Sequence, residues 1–378
     1  MADRLAILIA YSGDGGVEKM MNHLLRGFVD AGVTVDLLLL KARGRHVEEI
    51  PEGVNVIRLN VRTSLLALPA VARYLRGHRP AALLAAKDRA GRVAILARAL
   101  AGVSTRVVLR MGMHLSGSLA GKTRLQRLAR HIPVRWLYPR ADAIITVARP
   151  VAEDLAAIGR IPESRFHVIA NPVVPPWLDE LAAAPVDHPW LTESPRKTPV
   201  LVAAGRLRPQ KGFDLLLEAL AEVTRQRDVR LLILGEGPDR KALENQAAEL
   251  GIGPSVDFVG FLPNPYSIMR AADLFVLSSR FEGAPNVLIE AMALGTSVVA
   301  TDCPSGPRDI LEHGALGPLV RPGDPGELAQ GILQALDAPV PASQLQDAVA
   351  PYTISRSSRE YLRVLRLAPC DHPADEQT

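Results

Sequence analysis

The 378-residue chain is poor in cysteine, with only Cys303 and Cys370. Their spacing suits neither a disulfide framework nor a zinc or redox motif, so a reducing, cytoplasmic setting is expected. No apolar run approaches ~18 residues, so no membrane-spanning helix is expected. The apolar start, Leu5 to Ala10, is too short for a signal sequence and reads as a buried strand. Aromatic residues make up 4% of the chain. With no nucleic-acid-binding motif, that scarcity argues against nucleic acid as a partner. No Asp-rich metal motif is visible, so neither a metal nor another cofactor is expected.

Charge is unevenly distributed. Residues 1–170 hold 26 of the 44 basic residues and 13 of the 40 acidic ones, a balance of +13, and the remainder carries −9. The first half is therefore expected to meet an anion, either a polyphosphate or a charged surface. Within it, 121–140 interleaves Arg124, Arg127 and Arg130 with Leu125, Leu128, Ile132 and Trp136. Such a stretch can lie on anionic lipid or pack a core with a solvated face. Pro133 is expected to end its first helix.

Apolar runs alternate with helical periodicity along the whole chain, which predicts parallel sheets built from βαβ units. Strands are expected at 5–10, 33–40 and 54–59, and again at 200–204, 230–234, 256–259 and 272–277. Gly15 and Gly16 separate the first strand from the first helix, where backbone can approach a phosphate or sugar. Met111-Gly-Met-His114 follows another strand, at the sheet end where ligands bind in open α/β sheets. Residues 172–198 are rich in proline and read as a connection with one short helix.

The most informative stretch is 278–309, SSRFEGAPNVLIEAMALGTSVVATDCPSGPRD. Glu282 and Glu290 are separated by seven residues. Between them Gly283, Ala284 and Pro285 lead into Asn286, Val287 and Leu288, the expected first turn of a helix. Free N–H groups at such a turn attract anions. Glu282 stands before that turn and Glu290 one turn inside it. Upstream, Gly205-Arg206-Leu207 is followed by Lys211-Gly212, a fork and a point charge suited to phosphate. Gly235-Glu-Gly-Pro238 and Gly260-Phe261-Leu-Pro263 follow two further strands.

These motifs, together with Gly-Gly-Val-Glu18, resemble the retaining, sugar-nucleotide-dependent glycosyltransferases of family 4, over nearly the whole chain. The resemblance implies the α/β fold GT-B, in which two Rossmann-like domains face across a cleft and a C-terminal helix crosses back to the first. The boundaries expected are 1–171 for the acceptor domain, 172–198 for the connection and 199–352 for the nucleotide-sugar domain. A crossover helix at 353–368 and a disordered tail at 369–378 complete them. Arg206 and Lys211 would neutralise the leaving diphosphate, Glu282 with Gly283 and Ala284 would hold sugar hydroxyls, and Glu290 would hold the ribose. Phe261 would lie by the base, Gly15 and Gly16 near the donor phosphate, and His114 would orient the donor sugar.

The expected reaction moves a sugar, from a UDP-linked donor first and a GDP-linked one second, to a hydroxyl of a glycan or lipid-linked acceptor with retention. Cys303-Pro-Ser-Gly-Pro307 resembles members that elongate lipid-linked oligosaccharides, often with N-acetylated hexosamines. The expected setting is cytoplasmic, with attachment at the inner face of the plasma membrane left open. Two alternatives are a retaining phosphorylase of the same architecture, which would use free phosphate, and a non-catalytic nucleotide-sugar binder.

Overall fold

The computed structural model describes residues 4–12, 16–119, 122–304 and 306–367. Gly15 and the tail from 368 onward, with Cys370, lie outside the described residues. The chain forms two compact units, Met1–Pro172 with Thr353–Thr378, and Val173–Tyr352.

The first unit holds β1 (Arg4–Ser12), β2 (Thr34–Arg43), β3 (Val54–Arg58), β4 (Ala82–Ala86), β5 (Arg106–Met111), β6 (Ala143–Thr146) and β7 (Phe166–Val168). They pair in parallel in the order β3-β2-β1-β4-β5-β6-β7. A parallel sheet is covered on both faces, so its strands read as continuous apolar runs. In β4 every residue of Ala-Leu-Leu-Ala-Ala is buried. Alternate residues feed two cores, one containing Ala6, Leu8 and Leu83 and the other Leu5, Ile7 and Leu84. The last helix, Ile354–Leu365, sends Tyr361, Leu362 and Leu365 into the second of these. It approaches the first helix, Gly16–Asp30, at Gly27, where a Cβ would meet Ser358 Oγ at 2.0 Å. The C-terminal helix thus belongs to the first unit, the crossing-back that the resemblance implied.

The second unit holds β8 (Val200–Ala204), β9 (Arg230–Leu234), β10 (Val256–Gly260), β11 (Leu274–Leu277), β12 (Val298–Thr301) and β13 (Leu319–Val320). Their order is β10-β9-β8-β11-β12-β13, again parallel. Each sheet therefore reverses its winding once, between β1 and β4 and between β8 and β11. Loops leaving the carboxyl ends of strands at such a reversal diverge and leave a crevice for ligands.

Two local differences from the sequence reading have physical causes. The helix Arg124–Leu137 continues through Pro133. Proline removes one N–H donor without forcing a stop, and the helix is anchored beyond it by buried Val134. Residues 173–198 contain two short helices, Leu178–Ala182 and Pro189–Thr192. Val173, Leu178 and Ala182 pack into the core of the second unit. Among the described residues no helix is long and apolar enough to cross a membrane.

Candidate functional site

The loops after β8 and β11, at the reversal of the second sheet, carry Lys211 and Glu282. Lys211 ends a short turn, Pro209–Lys211, and Gly212 then opens the helix Phe213–Thr224. Gly212 has φ +63, and a Cβ there would sit 2.1 Å from the Ser278 carbonyl oxygen. Only glycine lets this turn lie so close to the chain leaving β11.

The two loops are stitched together. The Arg280 N–H donates to Gln210 O at 2.8 Å. Gln210 donates to Phe281 O at 3.0 Å, and Ser278 Oγ donates to Lys211 O at 2.9 Å. The Arg280 guanidinium reaches Pro209 O at 2.8 Å and grips Asp214 with two bonds of 2.7 and 2.6 Å. That fork holds the Asp214 carboxyl below the usual carboxylate range. Planar, two-pronged contacts of this kind restrict both partners more than a single bond does.

The clamp presents Lys211 Nζ to Glu282 Oε1 at 2.6 Å, with side-chain exposures of 18% and 6%. Ser279 Oγ donates to the same oxygen at 2.6 Å. Both bonds end on Oε1, so neither occupies Oε2. Behind the pair lies Cys303, 3% exposed, its thiol pushed up to about 12 by burial and by the Glu282 charge. A thiol held protonated is a poor nucleophile. Iodoacetamide at pH 8 should therefore label Cys303 at least tenfold more slowly in the folded chain than in urea, read by mass spectrometry of its peptide. Equal rates would contradict the burial.

The helix Asn286–Ala293 begins where the sequence places it, and its N-cap, Pro285, makes no side-chain cap. Val287 is partly buried and Leu288 is in the core. Gly283 and Ala284 are partly exposed. Glu290, one turn in, is 6% exposed and accepts a 2.9 Å bond from the Tyr266 hydroxyl. Arg206 is exposed, with no side-chain hydrogen bond or ion pair among the described residues. Phe261, just after β10, is 49% exposed.

The first unit carries its own candidates. Gly16 is the exposed first residue of its helix. His114 caps the short helix Leu115–Ser118, its Nδ1 accepting the Gly117 N–H at 3.0 Å. Asp154 Oδ2 lies 3.6 Å from that nitrogen and accepts the Ser116 N–H at 3.0 Å. With Nδ1 accepting, a neutral ring carries its proton on Nε2, which is then a donor. At the reversal between β1 and β4 the sequence reading missed a pair. Lys87 Nζ donates to Ala10 O at 3.0 Å and to buried Glu18 at 2.7 Å. Glu18 belongs to the Gly-Gly-Val-Glu motif, but its partner lies 69 residues away.

In the helix Arg124–Leu137, Leu125, Leu128, Ile132 and Trp136 are 76%, 54%, 47% and 64% exposed. They recur at helical spacing, so they form one outward stripe. Arg124 is exposed, and Arg127 bonds the Lys122 carbonyl at 3.1 Å. Arg130 is tied to Asp88 at 3.0 Å and so is less available than the other two.

Residues 15–172 match the glycosyl transferase 4-like domain, and residues 188–354 match the glycosyl transferases group 1 domain. The chain is 28% identical over 374 residues to the lipopolysaccharide core biosynthesis glycosyltransferase LpsE of Rhizobium meliloti, covering 95% of this chain and 98% of the relative. It is also 28% identical over 344 residues to a Campylobacter jejuni N-acetylgalactosaminyltransferase named for a diphospho-undecaprenol substrate, with 88% and 90% covered. Among solved structures it resembles Anabaena HepE with UDP and glucose, at TM-score 0.77 and 23% identity, covering 96% of this chain and 99% of that one. It also resembles the lipopolysaccharide outer core galactosyltransferase WaaB in its apo form, at TM-score 0.73 and 20% identity, with the same coverage.

Proposed function

Because the chain belongs to the glycosyltransferases with group 1 and 4-like domains, folded as GT-B, we propose that it moves a sugar from a UDP-linked donor to a hydroxyl of a glycan or lipid-linked acceptor, with retention. The observation that carries this reading is the Lys211–Glu282 pair, clamped where the second sheet reverses and next to the start of the helix Asn286–Ala293. An ammonium has three N–H donors. One is taken by Glu282, which leaves two for the diphosphate. Arg206, exposed on the same loop, adds a guanidinium, and the helix start adds the Val287 N–H, since the Asn286 and Leu288 N–H groups already donate to Ala284 O and Pro285 O at 2.9 and 3.0 Å. Fixed donors aimed at the charge that builds on a leaving group stabilise the transition state without reorganisation.

Glu282 Oε2 is the atom assigned to a sugar hydroxyl, and Glu290, oriented by Tyr266, is assigned to the ribose. His114 offers Nε2–H to a substrate hydroxyl. UDP is favoured because the similar HepE structures are described with UDP, UDP-glucose and glucose. A glycan or lipid-linked acceptor is favoured by the names of the full-length relatives. Retention rests on the resemblance to the retaining glycosyltransferases of family 4, and a hexosyl or N-acetylhexosaminyl group is the sugar class proposed. No metal is assigned to the diphosphate, so turnover should persist in EDTA. A thermal-shift screen of nucleotide sugars tests donor choice. A ligand at ~100 times its Kd stabilises by roughly 2.7 kcal/mol, so the true donor should raise Tm and a panel of UDP-sugars with no effect would count against UDP.

The helix Arg124–Leu137 is assigned to an anionic membrane surface at the cytoplasmic face, its exposed leucines and Trp136 entering the interface beside Arg124 and Arg127. Co-sedimentation with anionic vesicles at low salt should capture the chain, and salt should release it. Leu125→Gln with Trp136→Gln should reduce capture severalfold. Equal capture by neutral and anionic vesicles would contradict the assignment.

A further inference from the structure

A second charged concavity lies in the first unit. It is a cavity of about 1030 Å³ whose lining includes Arg106, Arg165, His167, Arg363 and Arg366, together with Asp142 and Glu360. Its origin is topological. The last helix, Ile354–Leu365, covers one face of the sheet at Val108 and Ile145. The sheet continues one strand further, to β7, which forms its edge. His167 of β7 is in register with Ile145 and therefore faces the same side, as does Arg106, two residues before Val108. The step between helix and edge strand is the cavity.

The two carboxylates of the lining are already engaged. Asp142 accepts from Arg98 and from the Val107 N–H, and Glu360 pairs with Arg356 at 3.6 Å. Among the described residues Arg106 and Arg165 bond carbonyls, Val364 O and Ala141 O, each at 2.9 Å, with a longer contact of Arg165 to Asp142 O at 3.4 Å. Among the described residues none of the four arginines has a carboxylate within ion-pair distance. Four guanidiniums beside only two carboxylates, both engaged elsewhere, repel one another, and a bound anion relieves that cost. We propose that this cavity is a binding site for a phosphate-bearing anion, held by Arg106, Arg165, Arg363 and Arg366. The guanidinium fork matches phosphate oxygens in pairs, and arginine is the residue suited to such recognition. Burial, followed by the charge of Arg366, holds the Arg106 guanidinium below its usual range despite the opposing charge of Asp142. Burial and Arg106 likewise lower His167. The site owes nothing to Lys211 and Glu282, which belong to the other unit.

The test uses the whole chain with UDP in saturating amount, so that the proposed donor site is filled. Pyrophosphate is titrated calorimetrically, and vesicles containing anionic phospholipid are tested by co-sedimentation. The variant is Arg363→Ala with Arg366→Asn. Both positions are exposed, and Arg366 has φ +59, a left-handed conformation that asparagine tolerates. A free phosphate ligand predicts pyrophosphate binding that weakens at least tenfold in the variant and is unchanged in Lys211→Ala. A lipid headgroup predicts no pyrophosphate binding but a severalfold loss of vesicle capture in the variant. If the variant and the parent chain, with equal Tm, respond alike to both probes, the site does not exist.

Discussion

Lys211→Ala is expected to lower kcat/KM by about 10²-fold or more, the scale of removing one preorganised donor from a developing charge. It should also cost stability. Removal leaves Glu282, 6% exposed, with only the Ser279 hydroxyl on Oε1. An unsatisfied buried charge-assisted bond costs about 1–3 kcal/mol. The two effects can be separated. Lys211→Ala combined with Glu282→Gln removes the stranded charge, so Tm should recover while activity stays low. Urea denaturation and steady-state kinetics on the two variants decide this. A folded Lys211→Ala chain with parental kcat/KM would remove Lys211 from the proposed phosphate site.

The second large effect divides the glutamates. Glu290→Gln should weaken UDP binding roughly 10–100-fold, because a hydrogen bond to a charged group is worth ~1.5–3 kcal/mol. Glu282→Gln should leave UDP affinity near the parental value and lower the transfer rate instead. The geometry behind this is that Glu290 lies inside the helix Asn286–Ala293, held by Tyr266, and Glu282 lies before its start, held by Lys211 and Ser279. Calorimetric titration with UDP reads both variants. Equal weakening would mean their roles are not divided as proposed, and no weakening in Glu290→Gln would take it out of the nucleotide site.

Periodicity exposed the strand–helix alternation because parallel strands, buried on both faces, read as unbroken apolar runs such as Ala82–Ala86. Local motifs likewise placed the start of the helix at Asn286, since caps and first turns depend on adjacent residues. Pairings across the fold were hidden. Lys211 and Glu282 are 71 residues apart, Lys87 and Glu18 are 69 apart, and Arg280 and Asp214 are 66 apart. Each pair meets only because two strands are neighbours at a reversal of the sheet, and strand order is not written in local pattern. The arginine cavity was hidden for the same reason, since it joins Arg106 to Arg363 and Arg366 through the return of the last helix. The exposed stripe of Arg124–Leu137 was visible as an amphipathic pattern, but periodicity alone does not say whether an apolar face is covered.

Transfer from a nucleotide sugar can be followed through its products, with a panel of UDP-sugars and glycolipid acceptor extract in EDTA. Proton NMR of the glycoside and coupled detection of UDP would be read together. One UDP should be released per sugar transferred, with the anomeric configuration of the donor kept. Sugar phosphate formed from a glycoside and inorganic phosphate, with no UDP released from any donor, would contradict it and favour a phosphorylase.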